Sequence, residues 1–340
     1  MSRRCAGRLR SRPISRVLLV RVDGIGDALA CAPLVAALRD AGHELGALFS
    51  GRNRDAFAAR AFARVHTVER IAWPRHGMTA ESHARALAEV REAEYEVALI
   101  ASEEPDAYAF AKAASIGQRI GFFNGWEKPL KTLQTHRLLT RALYRPASAA
   151  RAAEHEVETL FRLGEGLHRE DGPTRDVGRL RPLILDSEPR PHGAVALQLN
   201  AKFVGAGLDI AAFAAIAREL ERRKFPTIAT GDDDDFGAAF ATRAGTSYVH
   251  PPTLAEWKGL LAGALAVVTP DSGAAHVAGM LGVPCIVLFP RGSTAARDVM
   301  RWRPWAAPSC AIVVDDPKQV PSRVAAALAP LLAGDEDAPR

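Results

Sequence analysis

Asp271, Ser272 and Gly273 stand between two apolar runs in the stretch VVTPDSGAAHVAGMLGVPCIVLFP, residues 267–290. The first run is β-branched enough for a buried strand, and Thr269-Pro270 ends it. Residues 274–281 read as a short helix closed by Gly282, and Pro284 leads into a second strand. Such a strand–turn–helix–strand unit puts Asp271, Ser272 and Gly273 at the C-terminal edge of a parallel sheet, where α/β folds bind ligands. The N–H groups of Gly273 and Ala274 at the helix start suit an anion, most naturally a phosphate. Gly273 lets it approach the backbone and Ser272 adds a hydroxyl. The plainer alternative is that Ser272 only caps the helix and Asp271 is a turn residue.

A second acidic turn, Asp23-Gly24-Ile25-Gly26-Asp27, follows the strand expected over residues 17–22. Asp27 lies in the first turn of a helix, where the dipole favours its ionised form. It either caps that helix or takes a proton from an attacking hydroxyl, and Asp23 competes for both roles. Gly24 and Gly26 do not make a dinucleotide fingerprint. Leu29 replaces the third glycine, and the next strand ends at Ser50-Gly51-Arg52 with no acid for a ribose. Four adjacent aspartates, Asp232–Asp235, invite a metal, but consecutive side chains cannot converge on one ion. A solvated helix start is the simpler reading, and no metal or other cofactor is expected.

The elements that position these residues alternate strand and helix. Residues 28–39 form a helix burying Ala28, Cys31, Ala32, Val35 and Leu38, and residues 46–50 form a strand. Further helices are expected over 81–93, 106–114 and 153–164, with strands at 97–101 and 118–122. A basic run with Lys128, Lys131, His136, Arg137, Arg141 and Arg145 reads as a solvated face or as a loop for an anionic acceptor. Residues 165–192 are rich in Gly, Pro and charge, the composition of a linker. A second series follows: strand 194–199, helix 210–223, strand 227–229, a helix over 254–262 opened by the Thr253–Glu256 capping box, and a last helix over 320–332. The organisation expected is a basic arm at 1–13, an α/β unit at 14–178, a linker at 179–192 and a second α/β unit at 193–333. The last helix is a candidate to pack back on the first unit. Sheet edges facing each other across a linker make a cleft.

The chain has 340 residues, 48% hydrophobic and 24% charged, which is ample for two cores. The net charge of +5 allows an anionic substrate or membrane surface, and no nucleic-acid partner is expected. Cys5, Cys31, Cys285 and Cys310 lack metal-type spacing and suit a reducing compartment. No run approaches the length of a membrane span. The arm at 1–13 serves solubility or attraction to anionic headgroups.

Four stretches together resemble the heptosyltransferase family, glycosyltransferase family 9, over roughly residues 16–315. They are VLLVRVDGIGDALACAPLVAALRDA, RIGFFN, HEVETLFRLGEGL, and the segment from Thr253 to Pro290 that contains the Asp-Ser-Gly-x-x-His turn. The resemblance implies the GT-B fold, two Rossmann-like α/β domains across a central cleft. It implies Asp27 as catalytic base, with Gly26 in its turn. It also implies Asp271, Ser272, Gly273, Ala274 and His276 as the donor turn holding a sugar-nucleotide diphosphate. His276, on a helix among alanines, also reads as a buried structural residue. Where many members carry a basic residue and Trp-Pro, this chain has Ala206-Gly207 and Leu208-Asp209. The cation for the leaving diphosphate is then Lys202 or Arg291. The acidic ribose contact falls within Asp232–Asp234, centred on Asp233.

The activity so implied is an inverting, metal-independent transfer of a heptose-like sugar. The donor is a nucleotide sugar, typically ADP-heptose, and the acceptor is the lipopolysaccharide core or another surface glycan. The place implied is the cytoplasm, peripheral to the inner face of the cytoplasmic membrane. Two alternatives stay open: a nucleotide-sugar-binding paralogue without turnover, and a nucleotide-sugar epimerase on the same fold.

Overall fold

The computed structural model describes residues 14–71, 77–146 and 154–333. The basic arm at 1–13 lies outside them. The first unit runs β1 (Arg16–Arg21), α1 (Ile25–Leu29), α2 (Ala32–Asp40), β2 (Glu44–Ser50), β3 (Arg64–Val68), a small antiparallel pair β4 (Arg70–Ile71) and β5 (Gly77–Met78), and α3 (Ala80–Glu92). It continues with β6 (Val97–Ile100), α4 (Pro105–Ala113), β7 (Gln118–Phe123), α5 (Pro129–Leu138), β8 (Arg141–Tyr144) and α6 (Glu156–Phe161). Helix α7 (Val177–Ile184) leads to the second unit. That unit holds β9 (Val195–Gln198), α8 (Ile210–Arg222), β10 (Thr227–Thr230), α9 (Asp234–Ala244), β11 (Tyr248–Val249) and α10 (Leu254–Ala262). It ends with β12 (Ala266–Pro270), α11 (Gly273–Leu281), β13 (Cys285–Pro290), α12 (Ala295–Trp302), β14 (Ser309–Val314) and α13 (Val320–Ala333).

Each unit is a six-stranded parallel sheet, ordered β3-β2-β1-β6-β7-β8 and β11-β10-β9-β12-β13-β14. In both, the order reverses beside the first strand. Connections leaving on either side of that point go to opposite faces, so a crevice opens between the strand ends. In the first sheet the crevice lies between the ends of β1 and β6, at Asp23–Asp27 and Ser102. In the second it lies between β9 and β12, at Gln198–Lys202 and Asp271–Ala274. This is the two-domain α/β arrangement of the GT-B fold.

Helix α11 joins the halves. Every residue from Ala274 to Leu281 is buried, which suits GAAHVAGML, a helix with no polar face. Its side chains share one apolar cluster with Leu29, Leu34 and Phe49 of the first unit and Leu183 of α7. The helix ends at Gly282, whose φ of 73° is left-handed and favours glycine.

Several elements differ from expectation. The helix expected over 28–39 is two, because the chain turns at Ala30-Cys31 and restarts with Pro33 in the first turn of α2. The expected linker contains α7, whose Leu180, Leu183 and Ile184 are buried, with Asp176 accepting from the Gly178 N–H at 2.8 Å. The basic run contains α5. The last helix does not pack back on the first unit. Val320, Val324, Leu328 and Leu331 of α13 lie in the core of the second, with Phe213 and Leu220 of α8.

Candidate active site

The turn after β1 is fastened from three sides. Asp27 Oδ2 accepts from the Gly24 N–H at 3.1 Å, the return half of a capping box. Its Oδ1 accepts from Arg21 Nη2 at 2.7 Å. Asn53 Nδ2 donates to the Arg21 carbonyl at 3.0 Å. Arg21 is buried on β1 and also pairs with Asp23 Oδ2 at 3.1 Å. Asp23 in turn accepts from Ser102 Oγ at 3.0 Å.

The two carboxylates titrate in opposite directions. Burial works against charge on both. For Asp27 the Arg21 charge and hydrogen bond, the Gly24 N–H and His276 outweigh burial, and its pKa is held below the ordinary value. For Asp23 burial prevails over Arg21, nearby Asp27 adds to it, and the pKa is raised. Asp27 therefore caps its helix with one oxygen and remains an ionised carboxylate at neutral pH.

Opposite stands the start of α11. Ser272 occupies the cap position but makes no side-chain cap bond. Its Oγ lies 3.0 Å from Thr269 Oγ1 instead. The dipole and the first N–H groups of α11 therefore face the cavity rather than a capping oxygen. Asp271 is pushed up to about 6, chiefly by burial and then by Asp298 and Asp27. His276 is pushed down to about 4 by burial, so it is neutral at pH 7. Its ring packs under Gly26 and meets Trp302 edge-on at 5.6 Å.

A cavity of about 520 Å³ lies between these elements. Gly26, Asp27, Asp271, Ser272, Gly273 and Ala274 line it together. Lys202 lines it too, from the 3₁₀ turn after β9, where Asn200 Oδ1 accepts from the Lys202 N–H at 3.1 Å. The remaining predicted residues fall elsewhere. His276 sits behind the Gly26 turn rather than on the wall. Asp233 is spent capping α9, accepting from the Phe236 N–H at 2.9 Å, and Asp232 faces the cavity in its place. Arg291 is 76% exposed beside Asp315 and away from the cavity.

Sequence reasoning missed Arg21, Trp257 and Glu156. Arg21 had a signal, a charge inside an apolar strand, which is tolerated only when paired. Trp257 Nε1 donates to Gln198 Oε1 at 2.8 Å, a pair 59 residues apart that lines the cavity together with Lys202. Glu156, buried at the start of α6, pairs with Arg145 at 2.8 Å, Arg301 at 2.9 Å and Arg21 at 3.9 Å. Arg301 comes from α12 of the second unit, so this carboxylate ties the two halves beside the Asp27 turn. Glu103 pairs with Arg145 at 3.0 Å and Lys131 at 3.4 Å and does not line the cavity.

Residues 185–329 match the family model described as glycosyltransferase family 9 (heptosyltransferase). No curated protein sequence matches the chain. Among solved structures the chain is similar to the E. coli heptosyltransferase WaaC with ADP, at 20% identity over 91% of this chain and 97% of that one, with a TM-score of 0.68. It is similar to E. coli ADP-heptose lps heptosyltransferase II, at 16% identity over 94% and 99%, with a TM-score of 0.66. It is also similar to a glycosyl transferase family 9 structure from Veillonella parvula, at 13% identity over 91% and 89%, with a TM-score of 0.63. At such identities the structural likeness is one of fold.

Proposed function

We infer, from a chain whose residues 185–329 are a family 9 glycosyltransferase domain on a GT-B fold, that this glycosyltransferase moves a heptose-like sugar with inversion and without a metal ion. The observation that carries the reading is the facing pair in one cavity: an ionised Asp27 on one side and the uncapped start of α11 on the other. A nucleotide-sugar diphosphate fits with its phosphates at the Gly273 and Ala274 N–H groups, the Ser272 hydroxyl and Lys202. The nucleoside end points to Asp232, Gln198 and Trp257. The similar E. coli structure with ADP supports ADP-heptose as the donor.

In this arrangement the acceptor hydroxyl attacks the anomeric carbon from the side opposite the diphosphate. Its proton passes to Asp27 as the new C–O bond forms and the bond to the leaving phosphate breaks. A carboxylate with a lowered pKa is a weak base. Transfer therefore becomes favourable only when the attacking oxygen has grown acidic. The helix start and Lys202 stabilise charge developing on the departing diphosphate. One displacement inverts the anomeric centre and needs no carboxylate nucleophile. The acceptor expected is a lipopolysaccharide core or another surface glycan, met at the inner face of the cytoplasmic membrane.

The test compares turnover of ADP-heptose in Asp27→Asn, Asp23→Asn and Glu103→Gln. Asp27→Asn should lose about 10²–10⁴ in rate with donor affinity retained. Near-normal turnover in Asp27→Asn, with collapse in either other variant, moves the base. The same assay in EDTA should keep its rate. Loss restored by magnesium would place an ion on the diphosphate and bring Asp232–Asp235 back into play.

A further inference from the structure

Helix α5 and the 3₁₀ turn before it carry side chains that the chemistry does not use. Trp126 is 95% exposed, Leu130 79% and Leu133 54%. Leu130, Leu133 and Arg137 follow at intervals of three and four residues and share one side of α5, and Trp126 stands exposed in the 3₁₀ turn that leads into it. The other side is where α5 meets the protein, with Thr135 and then Leu139 buried. A run of large apolar side chains left open in this way marks a contact surface.

The surrounding charge says what kind of partner fits. Between Gly125 and Pro146 stand five basic residues, Lys128, Lys131, Arg137, Arg141 and Arg145, against one acid, Glu127. Lys131, Arg141 and Arg145 are paired with Glu103, Glu165 and Glu156 of the protein itself. Lys128 and Arg137 are exposed beside the apolar stripe. Tryptophan and leucine flanked by exposed cations fit the boundary layer of a negatively charged bilayer, which takes up the rings and offers phosphates to the cations. A tryptophan 95% exposed projects outward rather than lining a groove, which suits a soft planar layer better than a preformed protein surface.

The face is also placed for use. β7 runs parallel to β1, so α5 leaves the same sheet edge as the Asp27 turn. Lys131 of α5 meets Glu103, which meets Arg145, which meets Glu156 beside Arg21.

We propose that the face formed by Trp126, Leu130, Leu133 and Arg137, with Lys128, seats this protein on an anionic lipid bilayer. The inference deepens the glycosyl-transfer reading by naming where a lipid-linked acceptor is presented, and rests on that reading for this purpose alone. The docking itself needs no sugar.

The test sediments the full-length protein with vesicles of phosphatidylcholine, alone or mixed with phosphatidylglycerol. Binding should require the anionic lipid and fall with salt. The double variant Trp126→Ser with Leu130→Ser should partition more weakly by on the order of tenfold or more. Acyl chains carrying bromine should quench wild-type fluorescence, and Trp126→Phe should bind while losing most of that quenching. An ADP thermal shift, run on each variant, should be unchanged and reports folding. Vesicle binding by the double variant equal to wild type overturns the proposal and moves the anchor elsewhere, the basic arm being the first place to look. A self-association that the double variant abolishes, with no vesicle binding, overturns it in favour of a second copy on this face. Vesicle binding without any ADP response in the wild type would refute the glycosyl-transfer reading and leave the docking surface standing.

Discussion

The Arg21 guanidinium lies 2.7 Å from Asp27 and 3.1 Å from Asp23, and it splits two acids that the sequence left equivalent. Asp27 alone of the pair lines the cavity, and Asp23 is taken up by Ser102. Asp271 is the other carboxyl with a consequence that can be measured. Its pKa rises from 3.8 in the unfolded chain to about 6 in the folded one, chiefly through burial. Between those values the folded protein holds a proton that the unfolded chain has lost, so stability falls as pH rises from about 4 to 6. Above that the loss is complete. Asp271→Asn should therefore be more stable than wild type at pH 7 by up to roughly 2–3 kcal/mol. The gain should fade towards zero near pH 4 in urea unfolding run across the range. A gain that does not change with pH would show that the charge on Asp271 carries no penalty. Retaining a group that lowers stability is a common mark of a binding site.

Helices α1 and α11 approach each other closely, and the contact depends on glycine at Gly26 while Gly273 leaves room for a side-chain carbon. A methyl group on Gly273 would lie 3.5 Å from Ile25 Cβ, while one on Gly26 would run into the His276 ring. Gly26→Ala should consequently cost about 1–3 kcal/mol by overpacking. In a His276→Ala background the added penalty should shrink, because the ring it strikes is gone. A double-mutant cycle by urea unfolding measures this, and additive effects would rule out the contact. The same contact explains why His276 reads as structural: the ring props the turn that carries Asp27. The His-Glu-Val stretch also gains a physical reason. His155 accepts from the Val157 N–H at 3.1 Å to cap α6, and Glu156 is the buried carboxylate that the arginines surround.

Across the whole molecule the halves are also tied by Lys258. This buried side chain on α10 donates to the carbonyls of Asp55 and Ile184 at 2.8 Å and of Ala56 at 3.2 Å. Two of these belong to the first unit and one to the end of α7. Lys258→Met keeps the apolar stem but leaves buried carbonyls without a donor, which costs roughly 1–3 kcal/mol. It should lower the melting temperature at pH 7 and raise proteolysis around residues 55–56. An unchanged melting temperature would show that water replaces the ammonium without loss. Glu156 reaching Arg301 adds a second polar tie between the two units.

The sequence alone determined what depends on neighbours along the chain. Strand and helix alternation, the Thr253–Glu256 cap, the Gly282 stop and the two acidic or glycine turns at strand ends are set by local backbone chemistry. They suffice for a two-unit parallel α/β fold and for placing the Asp23–Asp27 and Asp271–Ala274 turns at strand ends. That Lys202 and Asp232 line the cavity while Arg291 and Asp233 do not, and that His276 lies behind the Gly26 turn, came only with the tertiary structure. So did Arg21 as the partner of Asp27, the Gln198–Trp257 pair and the Lys258 tie. Each is decided by distances between residues far apart in the chain, or by which side of a turn faces the crevice. A one-residue rotation at a helix start is enough to exchange a cap for a lining residue, and no local pattern records it.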